Sequence, residues 1–370
     1  MALLLSPIDV LHFGTGKGSV AVDTHIIKTN RFPYPFTIAG ALRSYIMSKK
    51  GLSPSLLAEY LRGEVTQNEE YDKLLYGLNI IGPFLFKEGV IYFNIPFDIL
   101  CSPEERSLNK AFLEGKVLNP LQYPDLIMDM ELSYIPWLFS RERMKYKKGI
   151  ISLEEFKEYL LGKEKVTFEN ENIIFVDNQR RPGIKIDRDT RTAEEHYLYF
   201  EEFVTFNNND NKQVGYYIET SLETEMDSEF IAPLGGENKW IYGEKLDRSL
   251  KEEFNSLKEK IKQEVVKDNG YFKLIFLTPA YFKNGWKPQM DNIEIMGAVL
   301  NRPENIGGWD MATMTSTPIR RYVPAGSVYY CKTEDIENLF ENYFLNTISD
   351  EFGGYGFGLC VIGKLNKEEK

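Results

Sequence analysis

The residues with the most distinctive chemistry in this chain lie near its end. There glycines alternate with aromatic residues, in the order Gly353, Gly354, Tyr355, Gly356, Phe357 and Gly358. Glycine has no Cβ, so its backbone reaches conformations closed to other residues and lets another backbone approach closely. Backbone N–H groups in such a loop can bind phosphate oxygens. The run predicts a backbone platform for a phosphate chain, and the alternative is a tight turn with core aromatics.

Two arginines upstream of this run follow a flexible segment with an aromatic ring. Arg320 and Arg321 come after Gly307, Gly308 and Trp309. Binding of single-stranded nucleic acid combines cations that pair with phosphates and rings that stack on bases. The arginines therefore predict phosphate contacts, whereas the alternative for Trp309 is a core or interface position.

A second glycine-rich loop, near the start of the chain, contains Lys17. The P-loop of nucleotide-hydrolysing enzymes would require a glycine in place of Leu11 and a serine or threonine in place of Gly18. We therefore reject a P-loop. The loop remains a candidate for touching phosphate through its N–H groups and through Lys17.

The chain has three histidines, and His12 is the one best placed for catalysis, on the loop after the first predicted strand. A histidine general base would suit RNA cleavage, and the alternative is a packing histidine. The cysteines Cys101, Cys331 and Cys360 are isolated, and no spacing of acidic residues indicates a set of metal ligands. We predict no cofactor and no metal.

The formal net charge of the 370 residues is -11, which argues against a free-standing nucleic-acid-binding protein. Residues 1–62 reverse this trend with seven basic and three acidic residues, and they predict a local basic face. No apolar run reaches the length of a membrane span, so we expect no membrane partner. The cysteine pattern favours a cytoplasmic chain.

A helix predicted over residues 38–49 must position part of this basic face. Its apolar residues recur at helical spacing, Thr37 is the predicted N-cap, and Arg43 points away from the apolar stripe. Inside a helix Gly40 costs about 1 kcal/mol relative to alanine. This cost predicts close packing at Gly40, against another backbone.

The terminal glycine run depends on the elements of the second half of the chain. They are predicted in the order helix 246–266, strand 272–277, strand 326–330, helix 334–346 with Thr333 as its cap, and strand 359–362. This order suits a split βαβ, ferredoxin-like half. The apolar stripe predicted for helix 246–266 is Leu250, Phe254, Leu257, Ile261 and Val265, and Asn269 and Gly270 are predicted to end this helix. A weak internal repeat hints at two related halves. We place the domains at residues 1–250 and 251–370.

Several short motifs are spread over nearly the whole chain. They are SPIDVLHF (6–13), FPYP (32–35) with AGALRS (39–44), IGPF (81–84), GGE (235–237), LTPA (277–280) with GW (285–286), GGWD (307–310), VPAGSV (323–328) and the terminal glycine run. In this order they resemble the third subunit of the Cmr complex, a RAMP protein of type III-B CRISPR systems.

The resemblance implies an α+β protein with two ferredoxin-like (RRM-like, βαββαβ) domains and large insertions between positions 97 and 245. It implies a subunit without catalytic activity that grips the repeat-derived 5′ handle of CRISPR RNA (crRNA). The expected protein partners are the large palm-domain subunit and a neighbouring backbone RAMP subunit. The residues that it places at or beside the RNA are Lys17, Lys28, Arg31, Gly40, Arg43 and the loop 353–358.

Two other functions stay open at this point. A crRNA-processing endoribonuclease of the same superfamily would use His12 as its base. A protein-interaction scaffold would make no direct contact with RNA.

Overall fold

The structure is a computed structural model of the chain and describes residues 1–14, 26–64, 68–107, 110–122, 132–170, 176–206, 213–310 and 314–366. The helices of this part are α1 (Pro35–Lys50), α2 (Pro54–Leu61), α3 (Glu69–Tyr76), α4 (Pro103–Ser107), α5 (Leu153–Leu160), α6 (Leu250–Lys267) and α7 (Ile336–Asn342). Short 3-10 turns occupy Glu223–Glu225 and Gly353–Tyr355. No described helix is both long enough and apolar enough to cross a membrane.

The strands outnumber the helices. They are β1 (Ala2–Pro7), β2 (Ile26–Ile27), β3 (Ile80–Lys87), β4 (Val90–Asn94), β5 (Ile99–Leu100), β6 (Phe112–Val117), β7 (Asn119–Gln122), β8 (Tyr134–Trp137), β9 (Gly149–Ser152), β10 (Lys165–Asn170), β11 (Val176–Ile186), β12 (Ala193–Phe206), β13 (Val214–Thr220), β14 (Glu229–Pro233), β15 (Trp240–Leu246), β16 (Tyr271–Phe276), β17 (Ile293–Val299), β18 (Glu304–Ile306), β19 (Trp309–Asp310), β20 (Thr315–Ser316), β21 (Arg320–Tyr322), β22 (Val328–Thr333), β23 (Asn346–Thr347) and β24 (Leu359–Lys364). Helices combined with mostly antiparallel strands confirm the predicted α+β class.

The contacts within the chain define two compact units. Unit 1 comprises Met1–Glu88, Phe175–Leu246 and Asn305–Arg320, and unit 2 comprises Gly89–Ile174, Asp247–Glu304 and Arg321–Lys370. The division into domains at residues 1–250 and 251–370 stays a prediction, because a unit defined by its internal contacts is not the same as a domain that folds independently.

Unit 1 is built on a sheet with β1 in its middle. Its strands run in the order β14, β15, β1, β13 and β3, and each neighbouring pair is antiparallel. Leu3 stands opposite Ile218 on β13 and Lys245 on β15. Helix α1 contacts β3 and β14 and buries Ile38 and Ile46. This packing removes the apolar strand β1 from water, which is the main source of stability.

Unit 2 contains an antiparallel sheet in the order β17, β22, β16, β24 and β23. Helix α6 contacts β16, β24 and α7. A second group of strands in the same unit runs β4, β9, β10, β6 and β5, with α5 packed on β4, β9 and β10. The strand β24, which follows the glycine run, therefore lies inside the packed layers of unit 2.

A charged cluster is buried in the core of unit 2. The Lys273 Nζ lies 2.8 Å from a carboxylate oxygen of Asp98, and the Tyr159 hydroxyl lies 2.8 Å and 2.9 Å from the two oxygens of that carboxylate. All three side chains are buried. Burial raises the pKa of the Tyr159 hydroxyl well above its usual value, so Tyr159 remains a hydrogen-bond donor.

The predicted α6 stripe is confirmed. Leu250, Phe254, Leu257, Ile261 and Val265 are all buried, and they recur at the spacing of one helix face. The helix ends as predicted before Asn269 and Gly270, which both have positive φ.

The ends of α1 and α7 differ from the prediction. The N-cap of α1 is Tyr34 and not Thr37, because Pro35 occupies the first turn, where its missing N–H is no loss. The N-cap of α7 is Asp335, whose side chain accepts from the Asn338 N–H. Helix α7 also ends at Asn342, before the predicted residue 346, because Tyr343 leaves the helical conformation with φ -122°.

Candidate functional site

The second half of the glycine run forms a tight turn before β24. Gly356 has φ 102° and Gly358 has φ 73°, conformations in which an L side chain is strained. A Cβ on Gly358 would lie 2.5 Å from the Ser349 nitrogen. The turn itself therefore requires these two glycines, which supports the turn interpretation for this half of the run.

Thr278 holds this turn in place. Its hydroxyl donates to the Gly356 carbonyl at 2.6 Å and accepts from the Leu359 N–H at 2.9 Å. The Gly358 N–H donates to the Pro279 carbonyl at 2.7 Å. Sequence reasoning missed this role of Thr278, although a polar residue just after the apolar strand β16 was a usable signal.

The first half of the run faces solvent. Gly354 and Phe352 are exposed, and the Phe352 ring stacks on Tyr355 with centroids 5.8 Å apart. The N–H groups of Gly353 and Gly354 donate none of the hydrogen bonds found among the described residues. This half of the run therefore offers backbone donors and an aromatic surface to a ligand.

The structure brings one predicted cation to the glycine run. Arg321 is exposed on β21, and the next residue, Tyr322, has its ring 5.0 Å from the ring of Phe357. Phe357 is fully buried, backbone included, so it presents no group to a ligand. Arg320, on the same strand, is half-buried.

Arg43 has a structural role in unit 1. Its Nε donates to the Leu74 carbonyl at 2.8 Å and its Nη2 donates to the Leu75 carbonyl at 2.9 Å. These carbonyls lie in the last turn of α3, where backbone acceptors lack helical partners. Arg43 therefore closes the end of α3, a role that the sequence did not predict.

Gly40 lies on α1, one turn before Arg43, and is exposed. No described atom outside the helix backbone lies within 4 Å of the place that a Cβ would take. The predicted close packing of Gly40 is therefore wrong for the described part of the chain. The open helix surface leaves room for the backbone of a ligand.

The other predicted cations lie near the start of unit 1. Lys28 is exposed directly after β2. Arg31 is half-buried, and its carbonyl accepts from the Tyr216 hydroxyl at 2.8 Å. Lys17 lies outside the described residues.

His12 is packed into unit 1. Its side chain is 9% exposed, its Nδ1 lies 2.9 Å from the Glu202 carbonyl, and its ring meets the edge of Phe203. The Glu201 carboxylate lies 3.7 Å from Nδ1, and burial raises the pKa of that carboxylate. A buried ring with a backbone partner is typical of a packing histidine.

Metal and thiol chemistry find no support in the described residues. No group of three or more histidine, cysteine, aspartate or glutamate residues is arranged there to hold a metal ion. Burial raises the pKa of the Cys101 thiol to about 11 and also raises the pKa of the Cys331 and Cys360 thiols. These buried thiols therefore stay protonated near neutral pH.

One family model matches almost the entire sequence. The model described as CRISPR-associated protein (Cas_Cmr3) aligns with residues 3–365. The chain belongs to this Cas_Cmr3 family. The match confirms the resemblance to the third subunit of the Cmr complex, because it covers every motif on which the resemblance was based.

A curated relative of the family shares part of the sequence. The protein of Saccharolobus solfataricus named CRISPR system CMR subunit Cmr3 is 31% identical over 157 residues. These residues cover 39% of this chain and 44% of the relative, so the aligned part spans less than half of the relative's length.

Two solved structures have a similar fold. A chain of the type III-B Cmr-beta complex bound to cognate target RNA has a TM-score of 0.51 and 17% identity, covering 89% of this chain and 86% of its own length. A chain of the complex bound to cognate target RNA and AMPPnP has a TM-score of 0.51 and 18% identity, with coverages of 92% and 89%. At these identities the likeness establishes the fold.

Proposed function

We propose that this chain is a non-catalytic subunit of a type III-B CRISPR (Cmr) effector complex that binds the repeat-derived 5′ handle of crRNA in the cytoplasm. The observation that carries the proposal is the family match over residues 3–365. The similar fold of chains from Cmr complexes that contain RNA supports it. The packed geometry of His12 favours this function over a histidine-dependent nuclease.

We also propose that each unit contains one ferredoxin-like domain. In a βαββαβ path the first strand lies between the third and the fourth, and the second lies beside the third. Taking β1, β3, β13 and β15 as these four strands reproduces that order in unit 1. The strands β16, β17, β22 and β24 reproduce it in unit 2. A βαββαβ domain has a helix in each of its two crossovers. Among the described segments, a helix is present in the crossover from β1 to β3, which contains α1, and in the crossover from β22 to β24, which contains α7.

The exposed half of the glycine run is the proposed contact to the handle in unit 2. The Gly353 and Gly354 N–H groups can donate to phosphate oxygens whatever the net charge of the chain. Arg321 adds a cation, and the exposed Phe352 ring offers a surface on which a base can stack.

In unit 1 the proposed contacts are Lys28, Arg31 and the open surface of α1 at Gly40. An RNA backbone can approach a helix closely where no side chain projects. Lys17 and Arg320 remain candidates by sequence alone. We propose no direct phosphate contact for the two Arg43 donors, since they already bind the end of α3.

The proposed protein partners are the large palm-domain subunit and a neighbouring backbone RAMP subunit. A total charge of -11 fits a subunit that holds RNA in a local basic groove while the remaining surface faces protein. An RNA-free scaffold would present the same total charge, so binding of the handle must be measured.

The decisive experiment compares Gly354→Asp with Gly354→Ala in binding to a labelled 5′-handle RNA, with and without the large subunit. Gly354 does not need positive φ, so both variants fit its backbone. The aspartate places a negative charge where a phosphate is expected, and we expect affinity to fall about tenfold, which corresponds to about 1.4 kcal/mol. The alanine variant should bind like the wild type.

Equal binding by both variants would remove the glycine run from the handle site. A wild-type chain that binds no handle RNA, even with its partner, would leave the scaffold function. Cleavage of precursor RNA by the wild type but not by His12→Ala would overturn the non-catalytic proposal.

A further inference from the structure

A basic and aromatic stretch of unit 2 has no part in the proposed handle site. We refer to residues 137–148 as the basic–aromatic segment. It carries five basic residues and one acidic residue, although the net charge of the whole chain is -11. Its rings are Trp137, Phe139 and Tyr146. Positive charge interleaved with aromatic rings is the composition of surfaces that bind single-stranded nucleic acid.

Four of the five cations in this segment lack a carboxylate partner among the described residues. The side chains of Arg141, Arg143, Lys145 and Lys148 are exposed. None of the four forms an ion pair with a described carboxylate, whereas lysines elsewhere on the surface do so repeatedly, as Lys163 does with Glu155 and Lys245 with Glu223. A cluster of unpaired cations on an acidic protein produces a local positive potential that attracts a polyanion.

Two of the three rings are exposed beside these charges. Phe139 is 69% exposed and Trp137 is 42% exposed, and their centroids lie 6.1 Å apart at an interplanar angle of 73°. Tyr146 instead packs against Phe97, with centroids 5.1 Å apart. The segment therefore keeps one ring for its own packing and presents two rings to solvent.

The backbone around these side chains is held at both ends. Before the segment, the Ser133 N–H donates to the Met296 carbonyl at 3.0 Å, and Trp137 itself pairs with Asn119. Within it, Lys145 and Cys101 exchange two backbone hydrogen bonds of 2.9 Å and 3.0 Å. Such anchoring lowers the entropy lost when a ligand orders the side chains.

We propose that the basic–aromatic segment is a second contact surface for single-stranded RNA, separate from the handle site. Arg141, Arg143 and Lys145 would bind phosphates, and Phe139 and Trp137 would stack on bases. Both interactions are available to every nucleotide, so the surface accepts RNA of any sequence. The proposal rests on the proposed function only in taking RNA to be the ligand of the assembled complex.

RNA fits this surface better than an acidic protein does. Carboxylates of a protein partner would satisfy the cations but would leave the two exposed rings without a role. Bases satisfy the rings and phosphates satisfy the cations, with both groups repeating along one chain.

The test uses the full-length chain and a short labelled oligouridine, which lacks the handle sequence. Affinity is measured against salt concentration for the wild type, for Arg141→Ala/Arg143→Ala, and for Lys251→Ala/Lys260→Ala, which removes the same charge from exposed positions on α6. Two lost phosphate contacts should reduce the slope of log affinity against log salt by about 1.4. The α6 control should keep the wild-type slope.

The rings are tested separately. Phe139→Ala should weaken oligouridine binding about tenfold and leave the salt slope unchanged, because stacking releases no counterions. Circular dichroism checks that each variant keeps its fold, and 4-thiouridine crosslinks should map to residues 137–148.

Several outcomes would overturn the second surface. They are a wild-type chain that does not bind oligouridine, variants that bind it like the wild type, and a control that loses as much affinity as the arginine variant. Normal RNA binding combined with failure of the arginine variant to enter the complex would assign the segment to a protein partner instead.

Different results would contradict the proposed handle site and the proposed second surface. Gly354→Asp should weaken handle binding about tenfold and leave oligouridine binding unchanged. Arg141→Ala/Arg143→Ala should weaken oligouridine binding and leave the effect of Gly354→Asp on the handle unchanged. If the wild type binds oligouridine but binds handle RNA no more tightly than oligouridine, the proposed function is wrong and the second surface is supported.

Discussion

At the scale of single residues, the structure separates side chains that hold the fold from groups that remain open to a ligand. Arg43 and Phe357 were both predicted near RNA, yet the first binds the end of α3 and the second lies in the core. Gly40 and Gly354 keep an exposed backbone. The open positions of the candidate site therefore combine glycines, which offer main-chain contacts, with the exposed cations Lys28 and Arg321.

The role of Arg43 gives the first prediction. Arg43→Ala removes two hydrogen bonds from a charged donor to the Leu74 and Leu75 carbonyls. Such bonds contribute roughly 1.5–3 kcal/mol each when the donor is charged. Because Arg43 is only half-buried, we expect the lower end for two bonds, a fall of about 3 kcal/mol in the free energy of unfolding in urea. Lys28→Ala, at an exposed position, should change it by less than about 0.5 kcal/mol.

An unchanged unfolding midpoint for Arg43→Ala would contradict this role. Loss of handle binding in that variant would then report a direct RNA contact. With the expected destabilisation, the same loss is explained by a loosened α3.

At the scale of elements, ion pairs connect pieces of chain that are distant in sequence. The Glu225 side chain is 10% exposed and pairs with Lys50 at the end of α1 and with Lys73 on α3. Hydrogen bonds from Lys50 and Lys73 lower the pKa of the Glu225 carboxyl to about 2. One carboxylate thus joins α1, α3 and the turn Glu223–Glu225.

The lowered pKa of Glu225 makes this link dependent on pH. A carboxyl group whose pKa is lower in the folded state stabilises the fold above its unfolded pKa of about 4.5 and loses this effect as the pH falls toward about 2. Glu225→Gln should therefore be less stable than the wild type at pH 7. The difference in unfolding free energy should shrink steadily between pH 4.5 and pH 2.

Urea titrations of both proteins across this range measure the difference. Glu259→Gln, which removes a carboxyl group from an exposed position on α6 and leaves the Glu225 pairs untouched, is the control. A difference that stays constant with pH would show that Glu225 acts through its shape and not through its charge.

The buried cluster of unit 2 gives a third prediction. Lys273→Met leaves the Asp98 carboxylate buried with only its Tyr159 hydrogen bonds. Breaking one side of a buried ion pair costs roughly 3–5 kcal/mol, whereas replacing both charges by apolar groups often costs little. We expect Lys273→Met to be strongly destabilised in chemical unfolding. In a Tyr159→Phe background, where no buried hydroxyl loses its acceptor, Lys273→Met/Asp98→Leu should recover much of the loss.

Equal destabilisation of the single and double variants would contradict the ion-pair account. The cluster would then contribute mainly through the shape of its side chains.

At the scale of the whole molecule, the net charge of -11 makes the protein acidic, although residues 1–62 and the basic–aromatic segment each carry a basic excess. The proposed RNA contacts must therefore lie on a limited surface, since the acidic remainder repels a polyanion. This distribution suits a component of a larger assembly, in which protein partners cover the acidic remainder.

The limited basic surface predicts a modest salt dependence for the handle. If Lys17, Lys28, Arg31 and Arg321 each neutralise one phosphate, the slope of log affinity against log salt should be roughly -3, at about 0.7 for each contact to a single strand. Titration of labelled handle RNA at several salt concentrations measures it, and Arg321→Ala should reduce the slope by about 0.7. A slope more than twice as steep would contradict a handle site limited to these four cations.

The sequence by itself determined the features that depend on neighbouring residues. The α6 stripe, the α+β class and the family were all predicted correctly, because helical periodicity and ordered motifs are properties of short stretches. The choice of N-caps failed at α1 and α7, where several residues compete for the same position and small differences in backbone geometry decide.

Only the tertiary structure decided which chemical groups are available. His12 and Phe357 look functional in the sequence and are buried, whereas Thr278 looks like a strand end and holds the glycine run. The Asp98–Lys273 pair joins residues that are far apart in the chain. Burial and pairing are set by contacts between distant segments, and the sequence around a single residue does not contain them.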